Sequence, residues 1–280
     1  MAENSESRPQ KHQGADQARL GGSQTSLDGQ RHHIGFLGTV EALRGRPAAS
    51  RTAFTQAVTL AQEHREPSVE LAMRLQHAQA EFFLLDEPAR AAAALEPVLS
   101  TTEPLVGTVR RWVAKGEALR EAICDALPTA MTELPGGDLR CGAPSLVDSA
   151  LTWIETIERM GWEHVAAGRL QQATAPAASP RLPRTGGDGI RALLPAAVAY
   201  ERLGMPDSAA AIYEEIVRLS PIGNALDFAG YSLAYEQYAL RRLVAMGGPA
   251  ADDARRQLEH AWQDADAEFR NRVADRVLAR

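Results

Sequence analysis

Lysine is almost absent from this chain of 280 residues: it occurs only at Lys11 and Lys115, and arginine supplies the other basic residues. With 36 acidic against 30 basic residues the net charge is −6. The Arg-Arg pairs do not gather into a basic track. From 241 to 280 eight Arg stand among seven Asp plus Glu, the balance of a solvated, ion-paired helix surface. A nucleic-acid binder needs unbalanced cations to displace counterions from phosphate, so no nucleic-acid partner is expected. Low lysine beside abundant arginine and alanine suggests a GC-rich bacterial genome.

Cysteine is as scarce, with only Cys124 and Cys141. Two cysteines do not make a disulfide framework. One bridge is formally possible, but a reduced pair is expected, with Cys124 in a core and Cys141 an exposed loop thiol. No apolar run reaches the ~20 residues of a membrane span, so membrane insertion is not expected. The first residues, MAENSESRPQKHQGADQARLGG, lack the apolar core of a signal peptide, and the cytoplasm is the expected compartment. Aromatics make up 5% of the chain, and strand-like alternation of branched and aromatic residues is missing. Much of the apolar content is Ala and Leu, which lose little freedom in a helix. The expected fold class is all-α.

Chemistry-bearing patterns are also thin. His32-His33, Glu163-His164 and Glu259-His260 have no second ligand at metal spacing. The run GGDG at 186–189 lacks the Lys and Ser/Thr of a phosphate loop. Asp252-Asp253 follow Pro249 and complement a helix dipole. No catalytic residue, cofactor or metal is expected, and the chain reads as a non-enzyme.

What the chain does have is a recurring hairpin. Residues 1–31 are polar and near neutral, and are expected to be a disordered tail. A helical block is expected over 32–174, with an irregular middle region from 104. A Pro/Gly linker covers 175–189, and a second block 190–280. In the second block Tyr200, Gly204, Ala209, Tyr213 and Pro221 mark a large ring, a turn, a small residue, a large ring and a stop. Gly45, Ser50, Phe54 and Ala57 repeat that spacing. So do Phe82, Asp86, Ala91, Leu95 and Val98, with Asp86 at the turn in place of glycine. Pro47 and Pro206 follow the turn glycines, at a helix start where no backbone N–H is needed. After the loop PGGDLRCGAP, Ser145 with Asp148 looks like a helix cap. Helices are read over 226–246 and from Ala251 to the end.

This pattern resembles the tetratricopeptide repeat. The resemblance covers about 34–62, 71–103 and 190–221, and 226–265 more loosely. It implies an α-solenoid of antiparallel helical hairpins whose first helices line a concave groove. On that reading the groove displays Thr39 and Leu43, then Met73, Gln76, Ala80 and Phe83, then Leu194, Val198, Glu201 and Arg202. For Met73, Phe83 and Leu194 the competing reading is burial against the next helix. Gly35 and Thr39 stand where one subclass of the family clamps acidic chain ends with Lys and Asn, so that clamp is not expected. The stripe Tyr231, Tyr235 and Tyr238 reads as a binding or assembly face, or as the core of a Tyr-rich helix. The implied function is a scaffold or adaptor that binds another protein or peptide in its groove. The alternatives are a regulatory sensor module, a structural subunit forming a homo-oligomer, and an all-α enzyme with its site where the middle region meets the C-terminal block.

Overall fold

The computed structural model describes residues 33–127, 133–134, 137–138, 141, 153–179, 186–226 and 231–279. The tail over 1–31 and the cap at Ser145 lie outside the described residues. Apart from one pair of two-residue strands, the described elements are helices. The first hairpin is α1 (33–43) with α2 (Pro47–Glu63). The second is α3 (Pro67–Gln79), extended by a π turn (Ala80–Leu84), with α4 (Pro88–Leu99). α5 (Gly107–Ala126) packs on both helices of the second hairpin. Two short antiparallel strands, β1 (Glu133–Leu134) and β2 (Gly137–Asp138), lie between α5 and α6 (Trp153–Ala166). α7 (Leu170–Thr174) runs into a 3-10 turn (Ala175–Ala178). α8 (Gly186–Arg202) and α9 (Pro206–Leu226) form the next hairpin. The chain ends with α10 (Tyr231–Met246), α11 (Ala251–Ala261), α12 (Ala267–Phe269), a π turn (Arg270–Ala274) and α13 (Asp275–Leu278).

The three hairpins read from the sequence turn in the same way. Gly45, Asp86 and Gly204 take φ of +70°, +58° and +69°. This left-handed residue lets the chain reverse and satisfy carbonyls left over at the helix end. Arg46 N–H donates to Glu41 at 2.9 Å, Glu87 N–H to Glu81 at 2.8 Å, and Met205 N–H to Tyr200 at 3.0 Å. Pro47, Pro88 and Pro206 then open the second helices. The residues that follow at equal spacing, Ser50/Phe54/Ala57, Ala91/Leu95/Val98 and Ala209/Tyr213/Ile216, are all 0% exposed. The middle region, irregular in sequence spacing, holds a further copy of the turn. Gly168 has φ +70° between α6 and α7, and Ala173 is buried five residues later.

Four local expectations are corrected. Pro221 does not stop α9, which continues to Leu226. A proline removes one backbone hydrogen bond, and the packing of α9 between α8 and α10 outweighs that loss. The stretch 175–189 is not a bare linker, because its 3-10 turn packs on α8, which already starts at Gly186. The last helix breaks after Ala261, where Trp262 turns inward and is buried. Finally, Cys124 and Cys141 are not a reduced pair: a disulfide ties the end of α5 to the loop after β2. Loop return brings their Cα atoms to 5.8 Å, within bridging reach. Sequence spacing carries no such information.

The first two hairpins and the C-terminal helices meet. α10 packs on α8, α9 and α11, and also on α3 with its π turn. Gln237 Nε2 donates to the Leu43 carbonyl at 2.8 Å, capping α1. Asp266 N–H donates to the Gly45 carbonyl at 3.0 Å, and Phe269 lies where a Gly45 side chain would project. Arg276 reaches Asp86 at 2.6 Å. The C-terminal helices thus seat on the turn ends of the first two hairpins.

Candidate functional site

That closure decides the fate of the residues assigned to a groove. Thr39, Met73, Gln76, Ala80, Phe83, Leu194 and Val198 are buried. Leu43 and Glu201 are half-buried, and Arg202 is exposed. Phe83 meets the rings of Tyr235 and Tyr238 edge-on, at 4.9 and 5.7 Å between centroids. The groove residue and the tyrosine stripe therefore pack against each other within one chain. Tyr235 is itself buried, and the side chain of Tyr231 lies outside the described residues. Glu201 accepts from Arg242 at 3.1 and 2.9 Å, and Arg202 pairs with Asp125 at 2.5 Å. Apart from the exposed Arg202, these described side chains are partly or wholly withdrawn from solvent.

Where the middle region meets the C-terminal block, Glu158 accepts from Arg191 and, at 3.0 Å, from the Tyr235 hydroxyl. All three are buried, so their charges and donors are spent on one another.

An open cleft lies instead between α2, α3 and α4, with a volume of about 510 Å³. Helical pitch lines it: Arg51, Thr55, Val58 and Thr59 share a side of α2, and Arg74, His77 and Glu81 a side of α3. On α4, Arg90 stands at the mouth, and the small Ala93 and Ala94 leave the space open.

Glu81 is the fixed point of the floor, at 1% side-chain exposure. It accepts from Arg51 Nε at 2.6 Å and Nη2 at 3.0 Å, and from His77 Nε2 at 3.2 Å. Burial alone would raise the Glu81 carboxyl. The hydrogen bonds from His77 and Arg51 outweigh it and hold the group below the usual carboxylate range. An ionised carboxylate only accepts, so His77 Nε2 is the donor. The His77 ring stacks on Phe54, 5.0 Å away and 18° from parallel.

Around the rim the other carboxylates are committed. Glu70 accepts from Arg74 at 2.8 Å and from Gln62 at 2.9 Å. Glu87 contacts Arg272 closely and lies 3.8 Å from Arg51 and 4.0 Å from Arg90.

The cleft joins an apolar floor to hydroxyl, amide and guanidinium donors, the makings of a binding site. Among the described residues no three His, Cys, Asp or Glu gather as a metal site. Among them, no helix is long and apolar enough to cross a membrane. Sequence reading did not find this cleft. The His77–Glu81 spacing of four was legible as a helix pair, but nothing links Arg51 to Glu81, 30 residues on. Compared with protein-family models, curated proteins and solved structures, the chain matches none.

Proposed function

We propose that this chain is a non-catalytic binding scaffold, built of tetratricopeptide-like hairpins, that holds another protein or peptide in the α2–α3–α4 cleft. The observation that carries this reading is the cleft itself: about 510 Å³, open, and lined by rigid helices. Within it the buried Glu81 is held by the half-buried Arg51 and His77. The three hairpins share turn geometry and buried positions, which supports a stacked scaffold whose surfaces are preorganised. The proposed seat is the cleft between α2, α3 and α4, because most of the residues first assigned to the groove are buried. A bacterial source belongs to the same proposal, and so does a cytoplasmic location, where the Cys124–Cys141 bond has to form against a reducing poise.

The test places a photo-crosslinking residue at Thr59, in the cleft, and at Arg256, an exposed residue of α11 that does not line the cleft, in the full chain in its native host. A discrete partner captured at Thr59 and absent at Arg256 is the expected result. Equal capture at both positions, or none at Thr59, overturns the reading.

A further inference from the structure

Among the described residues that line the cleft, Arg90 is the arginine without a side-chain hydrogen bond to a carboxylate. Arg90 is 60% exposed at its side chain, and its nearest carboxylate, Glu87, is 4.0 Å away, beyond hydrogen-bond distance. Glu87 is itself claimed by Arg272 and lies nearer to Arg51. Arg51 is turned down into Glu81, and Arg74 is turned aside into Glu70. Arg90 lines the cleft together with an apolar floor that includes Phe54, Val58, Ala93 and Ala94.

We propose that the cleft binds an acidic segment of a partner polypeptide, with a side-chain carboxylate seated bidentate on Arg90 and neighbouring apolar side chains on that floor. The inference rests on the scaffold reading above and names the chemistry of its partner.

Three observations support the choice. A guanidinium matches a carboxylate with two parallel N–H···O bonds, stronger than neutral ones. Among the described residues lining the cleft the carboxylate is Glu81, which is buried and hydrogen-bonded by Arg51 and His77, and the carboxylate nearest Arg90, Glu87, is already paired with Arg272. Glu70, Glu87 and, within range of Arg51, Glu268 lie outside the walls. The net charge of −6 does not oppose binding at close range, because screening cuts off distant charges beyond about 8 Å. A volume of about 510 Å³ takes a few side chains. It does not offer the broad basic surface that a membrane or nucleic acid requires.

This seat differs from the position where the resembling family's subclass grips chain ends. There Gly35 lies against Met73, and a Cβ would approach its sulfur to 2.4 Å.

The experiment measures fluorescence anisotropy of the full chain with labelled peptide pools. One pool carries Asp or Glu at every second position with random residues between. A second carries Asn or Gln there, and a third phosphoserine. The proteins are wild type, Arg90→Glu, Arg90→Lys and Arg256→Glu, each checked by a cooperative melt. The acidic pool is expected to bind wild type and Arg256→Glu alike, and Arg90→Glu about tenfold or more weakly. Arg90→Lys falls between, because a point charge replaces the fork. Binding is expected to weaken with salt.

Equal binding of the acidic and amide pools, or acidic binding indifferent to Arg90→Glu, overturns the inference. A phosphoserine pool that binds while the acidic pool does not also overturns it, in favour of a phosphate source. If Thr59 still captures a partner after any of these results, the carboxylate inference falls and the scaffold reading stands. If Thr59 captures nothing, both fall.

Discussion

Arg241 on α10 donates to the main-chain oxygen of Phe83, 3.0 Å away and 158 residues earlier in the chain. The π turn at Ala80–Leu84 widens the end of α3, and the same guanidinium lies within 3.2 Å of Asp86. A cation placed there satisfies a helix C-terminus whose carbonyls have no helical partner. It also fixes the C-terminal helices to the second hairpin, so the groove expected from the repeat is filled from within.

Arg241→Met keeps the length of the side chain and removes its donors. It leaves the Phe83 carbonyl without this donor, while Asp86 keeps Arg276. A loss of about 1–3 kcal/mol is expected, the size for leaving a buried acceptor unsatisfied, read by urea unfolding. Hydrogen exchange at 83–85 should rise with it. Unchanged protection there would show that the closure does not depend on this contact.

Gly45 and Gly204 share a left-handed conformation but not their surroundings. A Cβ on Gly45 would come within 2.4 Å of Phe269, whereas one on Gly204 meets nothing within 4 Å. Gly204→Ala is expected to cost only the backbone strain, about 1–2 kcal/mol. Gly45→Ala should cost about 1–3 kcal/mol more, from overpacking. Equal thermal shifts for the two variants would place the C-terminal helices away from the first turn.

Acid should loosen the hairpin end. Burial raises Glu81 and Asp86, but their arginine partners, with His77 at Glu81, lower both overall. For a carboxyl depressed in the folded state, the stabilisation is complete above the unfolded value of about 4. It is lost as pH falls through the folded value. Asp125 is raised by burial despite Arg202 and works in the opposite sense. Glu81→Gln isolates one contribution. Its melting temperature should start lower at neutral pH and fall less steeply below about pH 4 than wild type. Parallel curves would show that Glu81 is not held as drawn.

The Cys124–Cys141 bond closes a short loop, with a sequence separation of 17. Loop-closure entropy assigns such a bridge about 3 kcal/mol. Reduction, or the Cys124→Ser/Cys141→Ser variant, should lower stability by about that amount. Alkylation in freshly opened host cells checks whether the bond exists in vivo. Two modified cysteines would mean the chain works where thiols stay reduced.

Helix, turn and hairpin were legible because they are local. Gly45, Asp86 and Gly204 need left-handed backbone, and Phe54, Leu95 and Tyr213 need a neighbour one helix away. These demands are met within about 34 residues, so spacing alone reveals them. The turn at Gly168 escaped because its second helix is short and its large positions are missing.

Side-chain partners across the fold were not legible in the same way. The sequence by itself determined an all-helical chain with repeated turns and small-large-large buried positions, since local backbone preference and helical period dictate both. Only the tertiary structure decided that Phe83 packs on Tyr235 and that Arg241 reaches over 158 residues to cap it. It likewise decided that Cys124 finds Cys141, and that Arg90 lines a cleft with its nearest carboxylate 4.0 Å away. Those outcomes depend on which helix faces are already covered when the chain closes on itself, and residue spacing does not record this.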